Sequence, residues 1–156
     1  MDKIKEELLK FLKSQKLIII ASQGENDIGI ANIYYGIDED FKIYFISPKD
    51  TEHSKHILKN SKITFSITWY NPNNHKDRKA IQAKGNCIIA TLENDKFKGV
   101  KLHNLNFPEF KERITEEWIL DDSIDAEVWV IEPTSMKFWN DELFGLNGNE
   151  LIEFDK

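Results

Sequence analysis

The stretch Ile63-Thr-Phe-Ser-Ile-Thr-Trp69 alternates apolar and polar side chains without a break. Successive side chains of a strand point to opposite faces, so this segment must lie in a sheet with one face on a core and the other on polar surroundings. One-sided burial of that kind is the habit of antiparallel sheets. Other strand-like runs are separated by turn chemistry: Lys16 to Ser22, then Ile28 to Gly36 after Gly24-Glu25-Asn26-Asp27, then Phe41 to Ser47 after Asp38-Glu39-Asp40. Connections this short predict hairpins.

The remaining segments extend the pattern. Ala80 to Leu92 reads as a long strand with Gly85 at a bend or bulge. Ala126 to Glu132 is the last strong strand before Pro133, with Met136 to Trp139 a further strand and Glu150 to Phe154 a terminal edge. Helical spacing is confined to residues 2–14, where Ile4, Leu8, Leu9, Phe11 and Leu12 share a face, to 51–60, and to a cover at 94–117. Within that cover, Asn94 to Leu105 and Glu109 to Glu117 read as two short helices divided by Pro108. Many short strands with peripheral helices predict a mainly β, closed or nearly closed antiparallel barrel. With 156 residues, 40% of them hydrophobic, residues 1–156 are expected to form a single domain that ends in a C-terminal segment at 134–156.

Charge and cysteine content exclude several classes. A formal net charge of −6 and the lack of a basic stripe argue against a nucleic-acid partner, and the loop Lys76 to Lys79 is too small a basic patch to reverse that. Cys87 is the only cysteine, so neither an intrachain disulfide nor a thiolate metal cage can form. The first ten residues interleave charges, and the apolar run Leu17 to Ala21 is too short to span a bilayer. These features lead to the expectation of a cytoplasmic protein with no membrane partner.

The stretch Ile43 to Ile57 carries the best candidate site. A strand ending in Ser47 hands over to a helix, whose start presents free N–H groups and a partial positive charge suited to a phosphate. Ser47, Thr51 and Ser54 add hydroxyls, and Lys49, Lys55 and His53 add positive charge. The competing reading is a helix capped by Asp50 or Thr51 whose lysines are merely solvated.

Taken together, Gly29-Ile-Ala-Asn-Ile-Tyr-Tyr-Gly36, Ile43 to Ser47, Thr51-Glu-His-Ser-Lys55, Ile63 to Trp69, Ile81-Gln-Ala-Lys-Gly85 and Ile131 to Asn140 follow the order and spacing of the FMN-binding split barrels. The chain resembles the pyridoxamine 5'-phosphate oxidase-like superfamily over roughly residues 5 to 145. It is most like a small bacterial branch in which Thr-x-His replaces Ser-Arg-Lys and an Asn-x-Leu-Gly-Phe-like segment, here Asn140-Asp-Glu-Leu-Phe-Gly145, closes the chain. The resemblance implies an FMN-binding, Greek-key-like split β-barrel that forms a homodimer with flavin at the subunit interface. By position it assigns Ser47, Thr51, His53 and Lys55 to the phosphate end and the backbone of Ala31, Asn32, Ile33 and Tyr34 to the edge of the ring system. Gln82 would reach toward the rings, with Trp139 contributed across the interface.

The departures from the family pattern also carry information. Two arginines that the oxidases turn on the phosphate are Ile30 and Glu52 here. Losing one charge-assisted contact costs ~1.5–3 kcal/mol, roughly ten- to hundredfold in affinity. After Lys137 there is no Arg or His, whereas the oxidases hold pyridoxal phosphate with such residues, so pyridoxamine phosphate oxidation is not expected.

Other candidates have plain structural readings. His53 and His56 stand i, i+3 but lack a third ligand, so no metal site is expected. His75 reads as part of a solvated hairpin tip, Tyr34 and Tyr35 as flavin-lining or packing residues, Trp69 and Trp129 as structural, and Cys87 as a small buried side chain. Two functional classes remain. One is an FMN-dependent oxidoreductase taking electrons from a nicotinamide or other small molecule, with no catalytic side chain assigned. The other is a non-catalytic flavin- or haem-binding protein for storage or sensing.

Overall fold

In the computed structural model, which describes residues 1–155, eight strands form a single antiparallel sheet. The first half of the chain runs α1 (Lys3–Ser14), β1 (Leu17–Gln23), β2 (Ile28–Tyr34), β3 (Gly36–Ile37), β4 (Ile43–Ser47), α2 (Glu52–Lys59) and β5 (Lys62–Tyr70). The second half runs β6 (Arg78–Ile89), α3 (Glu93–Asn106), α4 (Glu116–Leu120), β7 (Glu127–Asn140), α5 (Asp141–Phe144) and β8 (Asn149–Glu153). The strand order is β2-β1-β5-β6-β7-β4-β3, with β8 also paired to β7. β2 and β3 are one extended stretch interrupted only at Tyr35, yet they occupy opposite ends of that order. The chain itself therefore carries the sheet round into a split, Greek-key-like barrel.

Register explains which residues fill it. Cross-strand partners share a face, and the pairs Ile20 with Phe65, Phe65 with Ala83, and Ala83 with Met136 all point inward. These residues join Ile18, Ile43, Phe45, Ile67, Ile81, Trp129, Ile131 and Phe138 in one buried cluster, completed by Leu8, Leu9, Phe11 and Leu12 of α1. A second cluster on the outer side of β4 and β7 packs Tyr44, Val128 and Val130 against Val100 of α3 and Ile119 of α4. Asp38 staples this layer. Its buried carboxylate accepts the Asp40 and Lys42 N–H groups, each at 2.9 Å, and lies 2.6 Å from Lys98 Nζ on α3. Burial and this carboxylate push the Tyr44 hydroxyl pKa up to about 12.

Three elements depart from the sequence expectation. The strand expected from Phe41 begins at Ile43, because Phe41 closes the preceding turn in the left-handed region at φ 65°, its ring buried against Phe154. The helix expected over Glu109 to Glu117 is instead a single 3-10 turn at Pro108–Phe110, followed by irregular turns and α4. Thr115 accepts the Trp118 N–H at 3.1 Å and so fixes the helix start there. The strands expected on either side of Pro133 are one strand, β7. A register shift between Lys84 and Gly85 absorbs Thr134 as an extra residue and sets Pro133 opposite Gly85. A Cβ at Gly85 would stand 2.6 Å from the Glu132 carbonyl oxygen, so the bulge needs glycine there.

Candidate functional site

The junction from β4 to α2 is anchored from below. Trp129, fully buried on β7, donates its Nε1–H to the Ser47 carbonyl at 2.9 Å and so fixes the end of β4. Ser47 Oγ lies 2.8 Å from His53 Nε2. Thr51 is the N-cap of α2: its Oγ1 accepts the Ser54 N–H at 3.1 Å and donates to Ser54 Oγ at 2.7 Å. Ser54 is buried and its hydroxyl donates to the Pro48 carbonyl at 2.6 Å, so it ties the helix start to the loop from inside. The N–H groups of Glu52 and His53, in the first turn, have no intrahelical partner.

Charge at the junction is modest. Lys49 Nζ lies 3.5 Å from Glu127, while Lys55 is exposed with no carboxylate partner among the described residues. His53 is half-buried, and desolvation holds its pKa below the ordinary histidine value against the opposing pull of Glu52, with His56 lowering it further.

β2 lies beside this junction, since a Cβ on Gly29 would stand 2.4 Å from Glu52 Oε1. As the first strand of the order, β2 leaves one row of backbone N–H and C=O groups without a strand partner. Ala31 and Ile33 pair with the inward-facing Ile20 and Ile18, so these two offer backbone rather than side chain to a ligand. Asn32 and Tyr34 face outward. The outer face carries a row across six strands, Asn32, Ile19, Ser66, Gln82, Lys137 and Leu151. Gln82 and Lys137 of this row, with Lys84 and Glu153, line a groove of about 650 Å³. Trp139 donates to Gln82 Oε1 at 3.3 Å, and the Arg78 guanidinium lies 4.8 Å from its ring centre. Within one chain the candidates thus form a group at the β4–α2 junction beside the β2 edge, and a separate pair, Gln82 with Trp139, on the outer face.

The outer face of β1 and β2 is unusually apolar. Leu17 is 51% exposed, Ile28 79%, Ile30 73% and Tyr34 49%.

No protein-family model matches the chain, and no curated protein does. Solved structures do. A haem-binding protein from Mycobacterium smegmatis aligns with a TM-score of 0.75 at 14% identity over 98% of this chain and 59% of that one. A candidate pyridoxamine 5'-phosphate oxidase from Listeria innocua aligns with a TM-score of 0.67 at 15% identity over 87% of this chain and 98% of that one. An FAD-binding protein from Mesorhizobium loti aligns with a TM-score of 0.65 at 11% identity over 84% of this chain and 88% of that one. The fold is the pyridoxamine 5'-phosphate oxidase-like split barrel. This split barrel spans a little under two thirds of the length of the M. smegmatis protein.

The donor set at the split barrel's junction matches a flavin phosphate in kind. Ser47 Oγ, the two free amides and Lys55 supply donors and one cation, and the unpaired edge of β2 supplies backbone groups for a ring system. The set suits an anionic group, with fewer cations than a dianion would attract.

Elsewhere, His75 Nδ1 lies 2.8 Å from the Tyr70 hydroxyl at an exposed tip, and buried Cys87 has its pKa raised by desolvation. Among the described residues, no three His, Cys, Asp or Glu side chains are grouped to hold a metal ion, and no helix is long and apolar enough to cross a membrane. Sequence reasoning missed the part played by Trp129 under Ser47. It also missed the partners of His56, because those lie in the β1–β2 hairpin far away in the chain.

Proposed function

We propose that this chain is an FMN-binding flavoprotein that acts as an oxidoreductase on a small molecule, with flavin sites completed in a homodimer. The observation that carries the reading is the β4–α2 junction: Ser47 anchored by a buried tryptophan, free amides at the start of α2 and the unpaired edge of β2, side by side. A bound flavin would supply the redox chemistry. Ser47, the Glu52 and His53 amides and Lys55 hold the phosphate, and the backbone of Ala31 to Tyr34 orients the ring edge. The hydrogen bond between His53 Nε2 and Ser47 Oγ orients that hydroxyl at the strand end. No side chain at the junction is placed as a general base, which suits a reaction whose electrons pass directly between substrate and cofactor, such as hydride delivery from a nicotinamide. The exposed apolar face of β1 and β2 supports the dimer, because an uncovered patch of this kind marks an interaction surface.

A second reading, a non-catalytic flavin- or haem-binding protein, draws support from the likeness to the M. smegmatis haem-binding protein. The absorption spectrum of the freshly purified protein separates the readings, followed by titration with FMN and with haemin. Flavin absorbance that bleaches with NADH and returns in air supports the oxidoreductase. Tight haemin binding with no flavin affinity would sink it.

A further inference from the structure

His56 sits on α2 one turn beyond the candidate phosphate donors, and it is buried. Both ring nitrogens have partners in the hairpin that joins β1 to β2: Nδ1 lies 3.0 Å from Ser22 Oγ, and Nε2 lies 3.2 Å from Asp27 Oδ1. Two glycines of the hairpin come close to the ring. A Cβ on Gly24 would stand 2.6 Å from Nε2, and one on Gly29 would stand 3.1 Å from Cε1. Neither glycine adopts a positive φ. Backbone conformation therefore does not require glycine at these positions; a Cβ there would instead displace the imidazole, Asp27 or Glu52 from their places.

From this lock we infer that His56 is a positioning residue: held by Ser22 and Asp27 close to Gly24 and Gly29, it sets the start of α2 against β2 and so tunes phosphate affinity without touching the ligand. The inference rests on the flavin reading above for its functional consequence. Hydrogen bonds to a phosphate depend on donor positions held to about half an ångström. Ser54 and His53 tie the start of α2 to the loop and to β4, and Ile57 seats it on the core; the His56 ring is what ties it to the hairpin. The ring is bonded at both nitrogens to one hairpin, which makes α2 and β2 move as one body.

Riboflavin, which carries the rings without the phosphate, isolates the effect. His56→Ala should weaken FMN binding about tenfold and leave riboflavin binding unchanged, and His56→Gln, which keeps a donor and an acceptor, should recover most of the loss. Gly24→Ala, whose methyl would stand 2.6 Å from Nε2 and so displace the ring from the hairpin side, should reproduce the His56→Ala pattern and serves if that variant fails to fold. Equal losses for FMN and riboflavin, or no loss in either variant, would overturn the inference. If the wild-type protein binds neither flavin, the flavin reading fails, and hydrogen exchange then judges the lock by itself. In that case faster exchange in His56→Ala at both residues 22–29 and residues 52–55, with β5 to β7 unaffected, supports it, and unchanged exchange overturns it.

Discussion

At the scale of single residues, the junction separates groups that hold the helix from groups that face outward. Thr51 spends its hydroxyl on the cap, so Thr51→Ala should cost about 1 kcal/mol of stability in a denaturant titration and weaken FMN by fraying the helix start. Thr51→Ser should preserve both. Lys55 is free of carboxylates among the described residues, so Lys55→Ala should weaken FMN binding at low ionic strength by an amount that shrinks as salt is added. His53 gives a signed pH dependence. Its pKa in the free protein is depressed, chiefly by burial, so the unfolded chain takes a proton near pH ~6.5 before the native one does. Stability should therefore fall as pH drops through ~6.5 toward the lower native value. A phosphate favours the imidazolium, so FMN affinity should rise over the same fall in pH. Fluorescence titrations from about pH 5.5 to 8 check this, with His53→Gln expected to flatten the profile.

At the scale of elements, β7 shows how local signals and long-range pairing divide the labour. Pro133 lacks an N–H and reads as a strand end, and in isolation that reading is sound. The strand continues because the bulge at Thr134 lets Pro133 sit opposite a residue with no Cβ. Gly85→Ala should drive a methyl group into the Glu132 carbonyl and destabilise the protein by about 1–3 kcal/mol, measurable by chemical denaturation. The helix expected at Glu109 to Glu117 gives way for a related reason. Its residues have adequate propensity, but the cap at Thr115 sets a later start, and the chain before it turns to cover α3.

At the scale of the molecule, the dimer proposal depends on the outer face of β1 and β2. Ile28, Ile30 and Leu17 lie where solvent reaches them in one chain, and apolar area of this extent costs free energy until it is covered. Ile30→Lys should shift the protein to a monomer in light scattering at micromolar concentration and reduce flavin binding with it. A wild-type protein that is already a monodisperse monomer would remove the dimer proposal. It would leave the junction at α2 to be judged alone.

Much of the barrel was legible in the sequence by itself. Alternation in β5, the glycine bend in β6 and the short turn Gly24-Glu25-Asn26-Asp27 are local properties, and locality is what sequence periodicity records. The same holds for the junction, whose hydroxyls and lysines lie within a dozen or so residues of one another, on the order of a strand end plus two helical turns. Resemblance alone supplied the expectation for Gln82 and Trp139, which periodicity had no means to supply. Only the tertiary structure decided that one stretch, 28–37, serves both ends of the sheet, that Asp38 reaches Lys98, and that Trp129 holds Ser47. It alone placed His56 against Ser22 and Asp27 of a distant hairpin. Such contacts join residues with no shared period, and they are selected by the shape and polarity of the space left when the sheet closes.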